Sequence, residues 1–442
     1  VVRLSFLFAF VGGSVKMLDI AFIRKNKEEV ARAINRKKIA VDLEQLLSID
    51  ARKRAIDNDL GNLRHLRNQL SSEIAMAKDL NEREALMTKA QAIAIDVGAL
   101  ETEFRDVDLS FRNLMLKVPN LIADSVPDGL SDEDNVEIMR WGEPRKFDFE
   151  PKNHIDLLLS HGLINQETPR RYAGSRAYSL FGDAALLELA VIRYALDFVL
   201  RKKFIPSLVP LMVREQALFA TGYFPFGEEN IYSLEKDELY LIGTSEVSIV
   251  ANYIDVLLDE GGLPIRHAGI SACFRREAGA AGRDTKGLYR VHQFQKVEQV
   301  VLTTADESQS DQEHLNLLAN SEQIMQDLEL PYRVVAVCTG DLGLGQTKKN
   351  DVEAWMPSRN AYGETHSCSS FRDFQARRAN IRYRDQSGKK QYVYTLNNTA
   401  IASPRILIPI IENNQNSDGT ITIPKALRPY MNGKDRLEKL ST

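Results

Sequence analysis

The sequence predicts an α+β protein: an N-terminal antiparallel helical hairpin followed by a domain built on a mainly antiparallel sheet flanked by helices. Three observations carry this. Residues 20–118 contain no proline and only two glycines, Gly61 and Gly98. Apolar residues in that stretch recur every seven positions in two runs. After residue 150, short strand-like runs alternate with helices without a regular βαβ rhythm, which favours an antiparallel sheet over a parallel one.

The first heptad run is Ile49, Ile56, Leu63, Leu70. The second is Leu86, Ile93, Leu100, Val107, Leu114, accompanied by Ala90, Val97, Phe104 and Phe111 four residues after each of the first four. Both sets of the second run fall on one helix face, forming the seam of a coiled coil. The polar stretch Lys78–Arg83 reads as the tip. Two helices joined by so short a turn run antiparallel, and about 30 residues each would give an arm near 45 Å long. Such an arm is either a contact device or a dimerisation coiled coil. Its first helix carries Arg52, Lys53, Arg54, Arg64, His65 and Arg67, which could meet phosphates.

Val118-Pro119-Asn120 ends the arm, and residues 121–150, rich in Asp, Pro and Gly, read as a linker. The expected domains are therefore 17–120 and 121–442. Within the second, Leu186–Leu200 reads as an amphipathic helix. Leu239–Ile242, Tyr289–Gln295, Lys296–Thr303 and Tyr332–Val337 read as strands. Residues 1–16 hold an apolar run too short to span a bilayer. Met17 is expected as the start, with the preceding stretch an upstream extension or a short targeting remnant. No other segment could span a membrane.

The chain of 442 residues carries 57 Lys and Arg against 61 Asp and Glu, a net charge of −4. Overall charge therefore gives no general affinity for nucleic acid; a polyanion must be held by local patches. The 3 cysteines, Cys273, Cys338 and Cys368, form no Cys-x-x-Cys pair. That excludes a disulfide framework, argues against a thiolate zinc site, and fits a reducing compartment such as the cytoplasm.

No Walker loop and no Gly-x-Gly-x-x-Gly after a strand occurs. A nucleotide would have to be gripped by arginine, whose planar fork pairs with two phosphate oxygens at once. Cys273-Phe274-Arg275-Arg276-Glu277 offers such a grip. A Gly- and Ala-rich loop, 278–287, follows it, and the chain returns as Tyr289-Arg290-Val291-His292-Gln293-Phe294-Gln295-Lys296-Val297-Glu298. Two strands around a flexible loop make a hairpin that can close over a ligand.

This segment resembles motif 2 of class II aminoacyl-tRNA synthetases, in the form typical of the seryl-tRNA synthetase family. The family's other landmarks follow in order. Phe204–Val213, with Pro210, resembles motif 1, the dimer-interface strand. Gly243-Thr244-Ser245-Glu246 resembles the serine-binding loop. Glu364-Thr365-His366-Ser367-Cys368-Ser369-Ser370, followed by Asp373–Arg378, resembles the second ATP-binding strand. Thr395-Leu396-Asn397 through Arg405 to Glu412-Asn413 resembles motif 3. The likeness runs from Met17 to near the end and includes the hairpin arm.

The resemblance implies an ATP-dependent enzyme that activates L-serine and transfers it to the 3′ end of tRNA(Ser) and tRNA(Sec), working as a homodimer in the cytoplasm. It implies that Arg275, Arg276, Glu277, Val291, Phe294, Glu364, Thr365, His366, Ser367 and Arg405 bind ATP. Arg275, Glu277 and Arg405 would act in catalysis. Glu364 and Ser367 would hold a magnesium ion through ATP, and no zinc is expected. Thr244, Ser245, Glu246, Glu298, Asn397 and Thr399 would surround serine. His292 and His366 are expected to be structural or orienting groups.

Motif 3 departs from the family. Asn397-Asn398-Thr399-Ala400 stands where glycines usually flank the serine contact, so Asn398 and Ala400 add Cβ atoms near the backbone. Pro404 precedes Arg405 and is expected in the first turn of the next helix, with Pro409 inside that helix, kinking it. Motif 2 has Arg276 where a small polar residue is usual. A paralogue serving a non-tRNA acceptor would lose the heptad arm. An inactive interaction protein would lose one of Arg275, Glu277, Glu298, Glu364 or Arg405. The sequence keeps all of these.

Overall fold

The structure, a computed structural model, describes residues 18–280 and 287–440. The expected start at Met17, the extension before it and the centre of the 278–287 loop lie outside the described residues. The chain forms two compact units, one ending at Pro119 and one beginning at Asn120.

The first unit holds helices α1 (Ile20–Lys25), α2 (Lys27–Arg36), α3 (Leu43–Met76) and α4 (Leu80–Lys117). α3 and α4 are the hairpin, 34 and 38 residues long. Every heptad position named above is buried or half-buried, with Ile56, Leu60 and Val97 at the centre of the seam. The tip is tighter than expected. Asp79 caps α4 by accepting from the Asn81 and Glu82 N–H groups, so only residues 77–79 separate the helices. A capping carboxylate at a helix N-terminus also complements the helix dipole.

The second unit centres on an eight-stranded sheet. Its strands are β1 (Val136–Trp141), β2 (Ile205–Leu208), β3 (Ile265–Phe274), β4 (Gln293–Thr303), β5 (Tyr332–Ala336), β6 (Lys348–Met356), β7 (Ala361–Arg372) and β8 (Tyr394–Ser403). The order across the sheet is β1-β5-β6-β7-β8-β4-β3-β2. All neighbours are antiparallel except the edge pair β2 and β3.

Three expectations are corrected. The 121–150 linker contains an edge strand, β1, whose partner β5 lies some two hundred residues on, beyond the reach of local pattern. The strands expected at Tyr289–Gln295 and Lys296–Thr303 are one strand, β4. The motif 1 segment divides: Ile205–Leu208 joins the main sheet, and Met212–Val213 joins a small three-stranded one.

One sheet face is covered by α5 (Gly182–Arg201) and α7 (Glu307–Asp327), α6 being Glu246–Ala251. Leu187, Val191, Phe198, Leu317 and Ile324 pack there against Val297, Val301, Leu396 and Ile401. Strand alternation then sends the even-numbered residues of β4, from Phe294 to Glu298, to the opposite face. That face carries the cavity.

Candidate active site

A cavity of about 370 Å³ opens on this opposite face of the sheet. Its floor is β4 and β8, its walls β7, the loop before α6 and the 288–291 segment. Thr244, Glu246, Arg275, Glu277, Val291, Phe294, Glu298, Glu364, Thr365, Ser367, Asn397, Thr399 and Arg405 all line it. Segments more than 160 positions apart in the chain thus converge on one chamber.

Two β-bulges explain which residues face in. One lies opposite Val297 and Glu298, so Ala402 and Thr399, three apart on β8, both reach the cavity beside Glu298. The other lies opposite Val352 and Glu353. It brings Glu364 and Ser367, also three apart, to the same face. A bulge shifts the two-residue alternation by one.

Three expected residues lie away from the cavity, His366 by strand parity and the other two by their place in loops. His366 is not in the cavity. It sits buried on the other side of β7, sharing a 2.8 Å hydrogen bond with Thr365 Oγ1, and burial lowers its pKa to about 4. Ser245 is buried behind the lining, where a Cβ on Gly269 would come within 2.3 Å of its Oγ; glycine is required there by that close approach. Arg276 is exposed and outside the cavity.

The cavity has two electrostatic ends. At one, Arg275 follows β3. Its N–H donates to the His292 carbonyl at 3.0 Å, and its carbonyl meets His292 Nδ1 at 3.0 Å. Its guanidinium lies 5.2 Å over the Phe294 ring and donates to the Gly243 carbonyl at 3.3 Å. Burial opposes its charge, but Tyr223, Cys273, Glu277 and Glu364 outweigh that and raise its pKa. Arg290 pairs with Glu277 at 3.1 Å. Arg405 stands over the Tyr289 ring at 4.4 Å and 3.6 Å from the Glu364 carboxylate. Burial would raise the Glu364 pKa, yet Arg405, Lys349, Arg275 and Arg290 together hold it below the ordinary value. This end suits a polyphosphate.

The other end is acidic and rich in hydroxyls. Lys296, absent from the expected set, lies buried between Thr244, to whose Oγ1 it donates at 2.8 Å, and Glu298, 2.6 Å away. Thr399 Oγ1 donates to Glu298 at 3.4 Å. Glu246 accepts from Gln375 Nε2 at 2.7 Å, and Gln375 Oε1 accepts from Thr395 at 2.7 Å. That second bond fixes which end of the amide faces Glu246. Lys296 and Gln375 fall inside the segments quoted above, but neither is given a role there; each matters through partners far along the chain.

The motif 3 departures fit without crowding. Asn398 faces away from the cavity and donates to the Leu317 carbonyl at 2.5 Å and to Ser321 Oγ at 2.8 Å, tying β8 to α7. Ala400 is the bulged residue. Helix α9 (Leu407–Asn413, with α8 at Phe374–Ala379) begins three residues after Pro404. Pro409 falls in its first turn, where a missing N–H forfeits no intrahelical bond, so the expected kink has no cause.

In the hairpin, most cations expected to meet phosphates are already engaged: Arg52 with Glu103, Lys53 with Asp108, Arg54 with Asp50, and Arg64 with Glu101. His65 and Arg67 are exposed and in no ion pair among the described residues. All three cysteines are buried, and burial pushes the Cys273 and Cys368 thiols up.

Comparison with known proteins agrees with this architecture. Residues 17–122 match the seryl-tRNA synthetase N-terminal domain, and residues 230–414 match the tRNA synthetase class II core domain (G, H, P, S and T). The chain is similar to the serine–tRNA ligase of Deinococcus radiodurans, 46% identical over 421 residues, covering 95% of this chain and 99% of that protein. Among solved structures it resembles seryl-tRNA synthetase from Pyrococcus horikoshii complexed with ATP, with TM-score 0.89, 38% identity and coverage of 96% and 100%. It also resembles the cytoplasmic serine–tRNA ligase of Naegleria fowleri in complex with AMP, with TM-score 0.84, 30% identity and coverage of 97% and 100%.

Proposed function

We infer the reaction from one premise: the chain belongs to the seryl-tRNA synthetase family of class II aminoacyl-tRNA synthetases. It is a serine–tRNA ligase. The observation that carries the assignment of roles is the two-ended cavity, with Arg275 and Arg405 at its cationic end and Glu246 and Glu298 at its acidic one.

On this reading ATP lies along Arg275, Glu277, Phe294 and Arg405, and serine lies among Thr244, Glu246, Glu298, Asn397 and Thr399. A serine carboxylate oxygen bonds to the α-phosphorus. The bond from that phosphorus to the bridging oxygen breaks, and pyrophosphate leaves. The 3′-terminal ribose hydroxyl of the tRNA then attacks the serine carbonyl and AMP leaves. No protein nucleophile is needed. Arg275 stabilises the charge that builds on the α-phosphate, and Arg405 does so near the γ-phosphate. Glu246 and Glu298 take the substrate ammonium and hydroxyl. Alanine would leave those buried groups unpaired, which rejects it.

The Glu364 carboxylate is held ionised and open to the cavity beside Ser367. An oxygen-preferring cation fits there, so Glu364 and Ser367 would hold magnesium together with ATP. When bound, the ion would neutralise charge on the departing pyrophosphate. The reading calls for no zinc.

The hairpin would contact tRNA(Ser), and tRNA(Sec), by shape and a few cations such as Arg67, since most of its arginines are internally paired. A homodimer would form through the β2 edge, where Ile205 and Leu208 are exposed, with the exposed Met212 just beyond it. A cytoplasmic setting fits the free cysteines; among the described residues no helix is long and apolar enough to cross a membrane.

The test is charging of tRNA(Ser) with labelled serine by the purified protein and by a variant lacking residues about 50 to 112. The reading expects charging by the first alone, with serine activation kept by both. Undiminished charging by the shortened protein would refute the hairpin's role.

A further inference from the structure

The rim of the cavity carries a feature that the adenylation chemistry does not use. Residues 166–176 are tied at both ends to the returning limb of motif 2. Gln166 Nε2 donates to the Gly287 carbonyl at 3.5 Å, and Arg176 Nη1 donates to the Arg290 carbonyl at 3.2 Å. From the first of those anchor points to just past the second, Leu288 to Val291 line the cavity. The tied segment therefore lies along the cavity's edge. It contains a short helix, Glu167–Ala173, seated by the buried Pro169.

Apart from Pro169 the helix is exposed; Glu167 opens it, and its second half presents Arg170, Arg171 and Tyr172, the last 74% exposed. Neither Arg170 nor Arg171 makes an ion pair among the described residues. In a chain whose net charge is −4, residues 170–176 hold three arginines and no acid. A large aromatic left in water beside arginines is what a single nucleic-acid strand recognises: guanidinium groups meet the phosphates and the ring stacks on a base.

We propose that Arg170, Arg171 and Tyr172 form the landing surface for the unpaired 3′ end of the tRNA as it enters the cavity. This rests on the reaction proposed above. The tRNA must deliver its terminal ribose to the serine carbonyl, so its last nucleotides cross the rim. RNA single strands are gripped by aromatic stacking and arginine, with little demand for sequence.

The experiment uses the full-length protein and reads two activities side by side: charging of tRNA(Ser), and serine-dependent exchange of pyrophosphate into ATP, which needs no tRNA. Replacing both Arg170 and Arg171 by Ala should raise the KM for tRNA about tenfold and flatten its salt dependence. Tyr172→Ala should raise it by a similar factor, on the order of five- to tenfold, while Tyr172→Phe, which keeps the ring, should stay near wild type. Exchange should be unchanged in all three. A KM for tRNA within about twofold of wild type in the arginine variant would overturn the proposal. So would a raised KM for ATP in exchange, which would make the patch a nucleotide contact. Exchange by the wild-type protein that ignores serine would instead contradict the reaction on which the proposal rests.

Discussion

Lys296 Nζ and Glu298 Oε2 lie 2.6 Å apart on neighbouring inward positions of β4, their side chains 5% and 3% exposed. With Glu246 close by, the serine end holds two buried carboxylates and one buried ammonium. The substrate's own ammonium supplies the missing positive charge. Removing Lys296 alone leaves a buried charge without its partner, which costs about 3–5 kcal/mol. Lys296→Met should therefore lower unfolding stability by about that amount and abolish serine activation. Lys296→Met combined with Glu298→Leu should recover much of the stability but not the activity. Denaturant titration and the exchange assay read the two effects separately; full stability in the single variant would show that the pair is not coupled.

Glu246 predicts a pH dependence. Burial raises its pKa to about 7, with Glu298 adding to the rise and Gln375, Lys296 and Asn397 opposing it. Because the folded value exceeds the unfolded one, the protonated group favours the fold at low pH. That contribution is lost as pH rises through about 7. Serine binding runs the other way, since the ionised form takes the ammonium. The KM for serine should fall as pH rises from about 6 to 8, while the KM for ATP stays level. Glu246→Gln should raise the KM for serine and flatten its profile. A profile unaltered in that variant would assign the titration elsewhere.

Gln375 does not line the cavity, yet it holds Glu246 and is itself oriented by Thr395. Gln375→Met removes a buried hydrogen bond to a carboxylate, worth about tenfold or more in serine affinity. Steady-state exchange kinetics should show a raised KM for serine with the KM for ATP unchanged. Equal losses for both substrates would mean a general collapse of the pocket.

Glu364→Gln should increase the magnesium concentration needed for half-maximal exchange, because a neutral amide is a poorer ligand for a hard cation. The KM for serine should not move. An unshifted magnesium requirement would place the ion elsewhere.

Much of this was legible from residue order. The hairpin followed from its heptads, because a seam between two helices imposes a period that local sequence records. Arg275, Glu277 and Arg405 stood out because they fall in short segments whose order resembles a family. What stayed hidden depends on pairing over long distances. Lys296 reads as one more strand residue until Thr244, 52 positions earlier, is brought to it. β1 looked like linker because its strand partner, β5, lies far along the chain. The bulge in β7 decided that Glu364 faces in with Ser367, and the bulge in β8 that Thr399 faces in with Ala402; a bulge is set by the neighbouring strand as much as by its own residues.

The central claim is that one chamber holds ATP against Arg275 and serine against Glu298. Exchange of labelled pyrophosphate into ATP, run with serine, alanine and threonine in turn, tests it most directly. Exchange should require both serine and magnesium, and Arg275→Ala should reduce it by roughly two to three orders of magnitude. Equal exchange with alanine, or undiminished exchange in Arg275→Ala, would contradict the account.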